Sequence, residues 1–340
     1  MWNQVVRLQR KIAPELVESL AQRYELLRHI ANVGPVGRRG LAAQMDRSER
    51  IVRAQIDFLK QAGLIDLSPL GMTITPEGQQ LVLELAEYVR ELHGLSALET
   101  ELCQKLGLKR VMIIPGDCEA DSGVNQDLGR AAAQMLYQCL QENMTVAVSG
   151  GSLMAQVAAA IHYNKTSTTV VPARGGLGER VEYQANTIAA AMANKLGGRY
   201  RLLHVPEGVS EDMVGPVWAK NSNILEVTEL IKQANILVNG IGQAREMAAR
   251  RGFDEEFIAK LESSGAVGEV LGHYFTLEGK AIYITSSLGL HLDDLAGIGL
   301  VIAVAGGRRK AEAIVAVTRA GGQDVLITDE AGAKAIREIV

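Results

Sequence analysis

The sequence predicts a mixed α/β protein: an N-terminal winged helix-turn-helix followed by a C-terminal doubly wound, mainly parallel α/β domain. Two observations support this fold class. An amphipathic helix followed by two short alternating runs fills much of the first 75 residues, and beyond residue 107 apolar runs alternate with alanine-rich helical stretches. The 340 residues are enough for both parts. We assign residues 1–75 to a head, 76–107 to a linker or dimerisation helix, and 108–340 to a body.

Three helical segments are predicted in the head. The first covers residues 14–32 and ends at a break containing glycine and proline, residues 33–37. Two further segments, residues 38–45 and 46–64, are joined by a tight turn. This arrangement is typical of the helix-turn-helix.

The last of these segments has a beginning, an apolar face and an end. Ser48 can cap its N-terminus, and Gly63 can end it. Its predicted apolar face consists of Ile51, Val52, Ile56, Phe58 and Leu59.

A two-stranded wing is predicted directly after this helix, with residues 64–67 and 72–75 as strands and 68–71 as the turn. The charge distribution also favours DNA binding by the head. Residues 1–62 hold 11 Lys/Arg and 6 Asp/Glu, a net charge of +5, whereas the whole chain carries −4 and the remainder therefore −9. The alternative to DNA binding is that the head is an ordinary helical bundle whose arginines form a solvated face.

Candidate contacts to double-stranded operator DNA lie on both short helices. We expect Arg50, Arg53 and Gln55 to meet base edges, and Arg38 and Arg39 to meet phosphates. The remaining candidates are Gln44, Ser48 and Glu49.

The linker helix begins at Thr75 as cap and Pro76 as first residue. It carries an apolar stripe, which must be buried either on the body or against a second subunit. Because winged-helix proteins usually bind two half-sites as dimers, we favour pairing with a second subunit. The stripe consists of Leu81, Val82, Leu85, Val89 and Leu92.

Apolar runs in the body are typical of strands buried on both faces. They lie at residues 111–114, 146–148, 169–171, 202–205, 236–238, 282–284, 300–304 and 325–328. Helices are predicted between several of them, for example at residues 128–140, 153–161 and 182–196. Repeated strand–helix alternation predicts a parallel sheet.

Three of these strands run into glycine-rich loops, at residues 149–152, 172–178 and 306–310. Glycines at the carboxyl ends of parallel strands let backbone amides approach an anion, and the following helix adds its positive end. Arg174 and Lys310 supply full charges. The spacing fits neither a P-loop nor a dinucleotide fingerprint, so a phosphorylated small metabolite is the expected ligand.

An enzyme is the second hypothesis, because a sugar-phosphate isomerase needs a carboxylate base beside its phosphate site. Glu269 is the strongest candidate and could instead accept from sugar hydroxyls. The other acidic candidates are Asp117, Glu179, Glu182, Asp293 and Asp294. We find no metal-ligand spacing, no nucleophile arrangement and hence no catalytic residue. A DNA-binding module with a degenerate body is the third hypothesis.

Cysteine usage favours a cytoplasmic protein. Cys103, Cys118 and Cys139 are widely spaced and odd in number, so buried thiols in a reducing compartment are expected. The sequence shows no signal peptide and no apolar run long enough to span a bilayer.

Motifs along nearly the whole chain resemble those of the SorC/DeoR-type bacterial regulators. The most specific are PARGGLGE at residues 172–179 and AVAGG at 303–307 with KAEA at 310–313. Others are PVGRR at 35–39, SER at 48–50, GMT at 71–73, GRAA at 129–132, GGS at 150–152, QANT at 184–187 and GIG at 240–242.

This resemblance implies a homo-oligomeric repressor of a glycolytic operon. Its body is expected to be similar to sugar-phosphate isomerases and to bind a phosphorylated sugar, fructose-1,6-bisphosphate, as effector, with no cofactor or metal. By motif, Gly150, Gly151 and Ser152 would hold one phosphate, and Glu269 the sugar hydroxyls. The remaining implied contacts are Arg174, Gly175, Gly176, Gln184, Gly306, Gly307 and Lys310. Leu153 departs from the family's Gly-Gly-Thr-Thr loop.

Overall fold

The computed structural model describes residues 2–45, 48–162, 164–165, 167–177, 180–209 and 222–340. The chain divides into two compact units. The first is Met1–Leu98 with Ala120–Val124, and the second is Glu99–Glu119 with Asn125–Val340. The first unit therefore extends beyond the predicted head and includes most of the predicted linker.

The first unit contains a winged helix-turn-helix, as predicted. Its helix-turn-helix consists of α3 (Arg38–Gln44) and α4 (Glu49–Gln61), and its wing is an antiparallel hairpin of β1 (Ile65–Ser68) and β2 (Gly71–Ile74). The helix α1 (Trp2–Ile12) was not predicted. The remaining helices at this end of the chain are α2 (Pro14–Val33), α5 (Pro76–Leu92) and α6 (Leu95–Leu106).

Helix α4 buries a narrower face than the sequence suggested. Val52, Ile56 and Leu59 lie in the core, whereas Ile51 is 48% and Phe58 43% exposed. The three buried residues are spaced by four and three positions, and a neighbour one position away points about 100° off that direction. Ser48 occupies the N-cap position, but its side chain makes no capping hydrogen bond. Gly63 adopts φ +74° just beyond the helix, as its predicted role requires.

The apolar stripe of α5 is buried inside the first unit. Thr75 caps this helix, accepting a hydrogen bond from the Gly78 amide at 3.1 Å. The stripe then packs into the core that also contains residues of α1, α2 and α4; its buried members are Val82, Val89 and Leu92. Residues 76–107 thus form two helices, and the head's own core covers three members of the stripe, whereas Leu81 and Leu85 are only partly buried.

The body follows the predicted strand–helix alternation. Its strands are β3 (Arg110–Ile114), β4 (Thr145–Val148), β5 (Thr169–Pro172), β6 (Arg199–Tyr200), β7 (Ile236–Gly240), β8 (Gly242–Gln243), β9 (Gly268–Val270), β10 (His273–Phe275), β11 (Ala281–Ile284), β12 (Leu300–Val304) and β13 (Val325–Asp329). Its helices are α7 (Ser122–Cys139), α8 (Ser152–Ala160), α9 (Ala185–Leu196), α10 (Ser222–Lys232), α11 (Ala244–Arg250), α12 (Glu255–Ser263), α13 (Ala311–Ala320) and α14 (Glu330–Ile339).

Seven of these strands form a parallel sheet in the order β3-β13-β12-β7-β4-β5-β6. From β4 the chain proceeds outward through β5 to β6, and from β7 it proceeds through β12 to β13 in the other direction. The strand order therefore reverses between β4 and β7. Such a reversal opens a crevice at the carboxyl ends of the two strands, which is where α/β sheets bind ligands.

A second sheet was not predicted. It is antiparallel, in the order β11-β10-β9-β8, and it contains residues 282–284, which the sequence analysis assigned to the main sheet. Residues 202–205, also predicted as a strand, have no regular structure, and β6 ends at Tyr200. Both errors arise because a short apolar run indicates burial and not the sheet to which it belongs.

Candidate effector site and DNA-reading surface

A pocket in the body opens where the strand order reverses. Its walls include the loop after β4, from Ser149 to Ser152, and the loop after β7, from Gly240 to Gly242. Further parts of the wall come from the β5 end, from α11 and from the hairpin of the second sheet, and residues 183–185, Glu207, Val304 and Lys310 also line it. Two glycine loops thus face each other across the crevice.

The loop after β4 presents a helix N-terminus to the pocket. Gly151 adopts φ +126°, which favours glycine, and its amide is used internally by a hydrogen bond to the Tyr183 carbonyl at 2.8 Å. Helix α8 begins at Ser152, with no side-chain cap. The amides of its first turn have no partner within the helix and carry the positive end of the helix dipole. They can receive a phosphate.

Four buried, charged side chains cross-link the pocket wall. Arg251 donates through Nη2 to Glu207 Oε1 at 3.1 Å and to Glu269 Oε1 at 2.8 Å. Arg174 lies 3.3 Å from the same Glu207 oxygen and donates to the carbonyl of Thr285 at 3.1 Å. The two arginines balance the two carboxylates, so this network is neutral overall.

The pKa values of this network follow from burial and from the alternating charges. Burial lowers the pKa of Arg174, although Glu207 and Glu269 partly oppose the change. For Arg251, burial also acts to lower the pKa, but Glu269 and Glu207 outweigh it and the pKa is raised. Burial raises the pKa of Tyr274, whose hydroxyl contacts Arg251, to about 12. Arg251 and Tyr274, whose pKa values are raised, therefore keep their ordinary charge at neutral pH.

Glu269 is held rigidly with one oxygen directed inward. Its Oε1 accepts from Arg251 and from the Gly272 amide, in the hairpin turn between β9 and β10. That turn has positive φ at Leu271 (+48°) and Gly272 (+75°). A two-residue hairpin loop with positive φ at both positions matches the twist of the strands that it joins. Its Oε2 lies on the side of Gly242, which lines the pocket. This second oxygen is placed to accept from a ligand hydroxyl.

The surplus positive charge lies at Lys310, Arg250 and Arg180. The pocket lining contains five cations and three carboxylates, and the buried network accounts for two of each. The third carboxylate is Glu246, which is exposed. Lys310 donates to the Ile241 carbonyl at 3.2 Å, and burial lowers its pKa. The pocket therefore has an excess of positive charge for an anionic ligand.

The structure brings eight of the eleven predicted effector contacts to this pocket: Gly150, Gly151, Ser152, Arg174, Gly175, Gln184, Glu269 and Lys310. The other three glycines are not among the residues that line it. Gly176 exchanges backbone hydrogen bonds with Val205 and Glu207, the Gly307 amide binds Asp329 Oδ1 at 2.9 Å, and Gly306 lies against Cys118 and Leu128. Glu179 lies outside the described residues.

Glu207, Arg250 and Arg251 line the pocket but were not predicted from the sequence. Arg250 and Arg251 follow a fourth glycine loop, at residues 240–242, whose position directly after strand β7 could have revealed them. Glu207 belongs to no motif, and its segment is held beside the wall by contacts distant in the chain, such as the bridge between Gly176 and Pro206.

The predicted DNA-reading residues mostly lie on the surface of the head. Arg38, Arg39, Arg50 and Arg53 are exposed on α3 and α4, together with Ser48 and Glu49. Arg39 and Glu49 form a loose ion pair of 3.9 Å. Gln55 is half-buried and accepts from Arg23 Nε at 2.8 Å, so it faces α2. Gln44 ends α3, and its side chain lies outside the described part of the chain.

The described residues show neither a metal-binding cluster nor a membrane-spanning helix. They contain no group of three or more His, Cys, Asp or Glu side chains arranged to hold a metal ion. None of the helices they form is both long and apolar enough to cross a membrane.

Comparison with known proteins connects each unit to a family. Residues 20–89 match the CggR N-terminal DNA-binding domain, and residues 90–337 match a sugar-binding domain family. The central glycolytic genes regulator of Priestia megaterium is 41% identical over 337 residues, covering 97% of each chain. That of Bacillus subtilis is 40% identical over 334 residues, covering 98% of each chain.

Solved structures agree with the sequence relatives. A SorC family transcriptional regulator from Enterococcus faecalis superimposes with a TM-score of 0.66 at 40% identity, covering 71% of this chain and 99% of that one. The full-length sorbitol operon regulator of Klebsiella pneumoniae, at 15% identity and a TM-score of 0.65 over 88% of this chain and 93% of that one, shares the fold. The chain is therefore a DNA-binding regulator and not an enzyme, and it belongs to the SorC family of sugar-binding transcriptional regulators, with the central glycolytic genes regulators among its relatives.

Proposed function

We propose that the chain is a cytoplasmic repressor of a glycolytic operon whose operator binding is weakened by a phosphorylated sugar, fructose-1,6-bisphosphate. The observation that supports this proposal is the pocket between β4 and β7. It combines a free helix N-terminus, surplus cations and a fixed carboxylate in one crevice. The names of the 40–41% identical relatives support the glycolytic assignment.

A bisphosphate suits the two kinds of anion site in the pocket. The first turn of α8, from Ser152, offers backbone amides to one phosphate. Lys310 and Arg250 offer charged side chains to the other. Glu269 Oε2 accepts from a hydroxyl of the sugar between them. Arg174 and Arg251 act indirectly in this proposal, because their charges already serve Glu207 and Glu269.

Control of DNA binding requires the effector to bind two states of the protein unequally. A coupling of about 1–3 kcal/mol between effector and operator is typical and changes operator affinity by roughly 5- to 150-fold. In the DNA-binding state, Arg50 and Arg53 are proposed to reach base edges, with Arg38 and Arg39 on phosphates.

The test is fluorescence anisotropy on operator DNA with and without fructose-1,6-bisphosphate, compared with fructose 6-phosphate and inorganic phosphate. We expect only the bisphosphate to change affinity, cooperativity or dissociation rate. An unchanged operator response to every sugar phosphate would contradict the effector assignment. A thermal shift measured without DNA separates failure of binding from failure of coupling.

Lys310→Gln is the informative variant, with Lys334→Gln as its matched control. Lys334 is a half-exposed lysine on α14 that pairs with Glu330. A charge-assisted contact contributes about 1.5–3 kcal/mol, so loss of Lys310 should weaken effector binding by roughly 10- to 150-fold. Equal effects of the two variants would show that Lys310 does not contact the ligand.

A further inference from the structure

An apolar ridge remains exposed on the head after its core is assembled. It runs along α1 into the start of α2, and its main members are Leu8, Ile12 and Leu16, which are 53%, 84% and 67% exposed. Val5 lies one turn before Leu8 and is also exposed. Single exposed leucines are ordinary, but several in succession on adjoining helices form a patch of the kind that proteins cover with a partner.

A groove adjoins this ridge. It encloses about 480 Å³, and Gln9 and Ala13, the neighbours of Leu8 and Ile12 in the chain, line it together with Leu16. Phe58 of α4 also lines it, with the Arg23 guanidinium 3.6 Å from the ring centroid. Most of the other lining residues are apolar: Val17, Leu20, Tyr24, Leu27, Leu59, Leu64, Leu81, Leu85 and Tyr88.

The charges beside the ridge change sign along its length. Arg7 and Lys11, on α1, are exposed on the side before Ile12. Glu15 and Glu18, in the first turns of α2, are exposed on the side after it. An identical ridge laid antiparallel would bring each positive half opposite a negative half, with Ile12 near the crossing point.

We propose that this ridge and groove, residues 5–20 with the lining of the groove, form a two-fold interface with a second copy of the chain. A projecting ridge and a recess of the same apolar character lie on adjoining parts of one surface, as a self-complementary two-fold contact requires. The change of charge along the ridge favours an antiparallel arrangement of the two ridges, which is also related by a two-fold axis. A helix-turn-helix head also needs a partner head to read two half-sites.

The burial of α5 is consistent with this assignment. Val82, Val89 and Leu92 of its apolar stripe belong to the head's own core, and Leu81 and Leu85 line the groove, so α5 does not project an apolar ridge of its own. The proposal therefore places the projecting part of the head interface on α1 and α2, while α5, where the sequence predicted pairing, contributes only part of the groove wall.

Cross-linking of the full chain tests the interface. Ile12→Cys is treated with a bismaleimide, and Leu70→Cys is the matched control, because Leu70 at the wing tip is 83% exposed. Both variants keep Cys103, Cys118 and Cys139, so any background from these residues is common to the two. We expect most of Ile12→Cys to form a product of twice the chain mass, and Leu70→Cys to remain at the level of the parent protein.

Equal yields from the two variants would overturn the proposal. So would a cross-linked product of single-chain mass, because another segment of the same chain would then cover the ridge. Lys11→Glu and Glu15→Lys, each added to Ile12→Cys, test the antiparallel geometry. Each alone should lower the yield several-fold and the pair together should restore it; a pair that stays low refutes the proposed pairing. An unchanged circular dichroism melting curve verifies that each variant is folded.

Discussion

Replacing Arg251 by methionine should destabilise the body more strongly than any surface change. Arg251 is buried and lies between Glu207 and Glu269, with one nitrogen within 3.1 Å of both carboxylates. Methionine fills much of the same volume but leaves two carboxylates without their shared cation. Glu207 keeps Arg174 as a partner, whereas Glu269 keeps the Gly272 amide.

Removing one partner from a buried ion pair costs about 3–5 kcal/mol, because the remaining charge stays desolvated. For a domain of this size each kcal/mol lowers the melting temperature by about 2–4 °C, so the expected decrease is roughly 6–20 °C. Differential scanning calorimetry resolves this if the transition of the body is followed separately from that of the head. Adding Glu269→Gln should recover part of the loss, since it removes the carboxylate that is left without a cation.

Arg245→Met is the control. Arg245 lies on the neighbouring helix α11 and pairs with Glu255 and Glu262, but in water. Exposed pairs contribute little, so its melting temperature should stay close to that of the parent protein. If Arg251→Met behaves like Arg245→Met, the buried bridge does not stabilise the body and the reasoning is wrong.

Three further predictions concern the pocket and the head. Burial lowers the pKa of Lys310, so its amine should lose its proton, and effector affinity should fall, at a pH lower than that at which an ordinary lysine titrates. Calorimetric titration of effector binding at several pH values checks this, and Lys310→Met should lack the decrease. Leu153→Thr restores a hydroxyl beside the first turn of α8 and should tighten effector binding by about 2- to 12-fold, the value of one hydrogen bond; a weaker or equal affinity by calorimetry contradicts it. Thr75→Ala removes the hydrogen bond to the Gly78 amide and should cost the head about 1 kcal/mol in urea unfolding, with Thr75→Ser as the variant that retains it.

Local chemistry accounts for the parts of the fold that the sequence predicted. The hairpin from Ile65 to Ile74, the cap at Thr75 and the strand–helix alternation of the body each depend on residues close together in the chain. The glycine loops could also be predicted from the sequence, because the pattern of a strand, then glycines, then a helix depends only on neighbouring residues. Eight of the eleven predicted effector contacts consequently line one pocket.

The features that the sequence did not predict depend on side-chain contacts between residues distant in the chain. Arg174 could not be recognised as part of a neutral buried network from sequence, because Glu207, Arg251 and Thr285 reach it only in the folded body. Gln55 was predicted to meet a base edge, but in the folded head it accepts a hydrogen bond from Arg23 of α2.

The sequence by itself determined the two kinds of domain, the helix that carries the arginines, and the edge of the sheet where the glycine-lined pocket opens, because spacing and glycine placement encode local conformation. Only the tertiary structure decided which charges remain available to a ligand and which apolar faces remain exposed. Both depend on what each side chain packs against, and the apolar stripe of α5 and the ridge at Ile12 look alike until the head is folded.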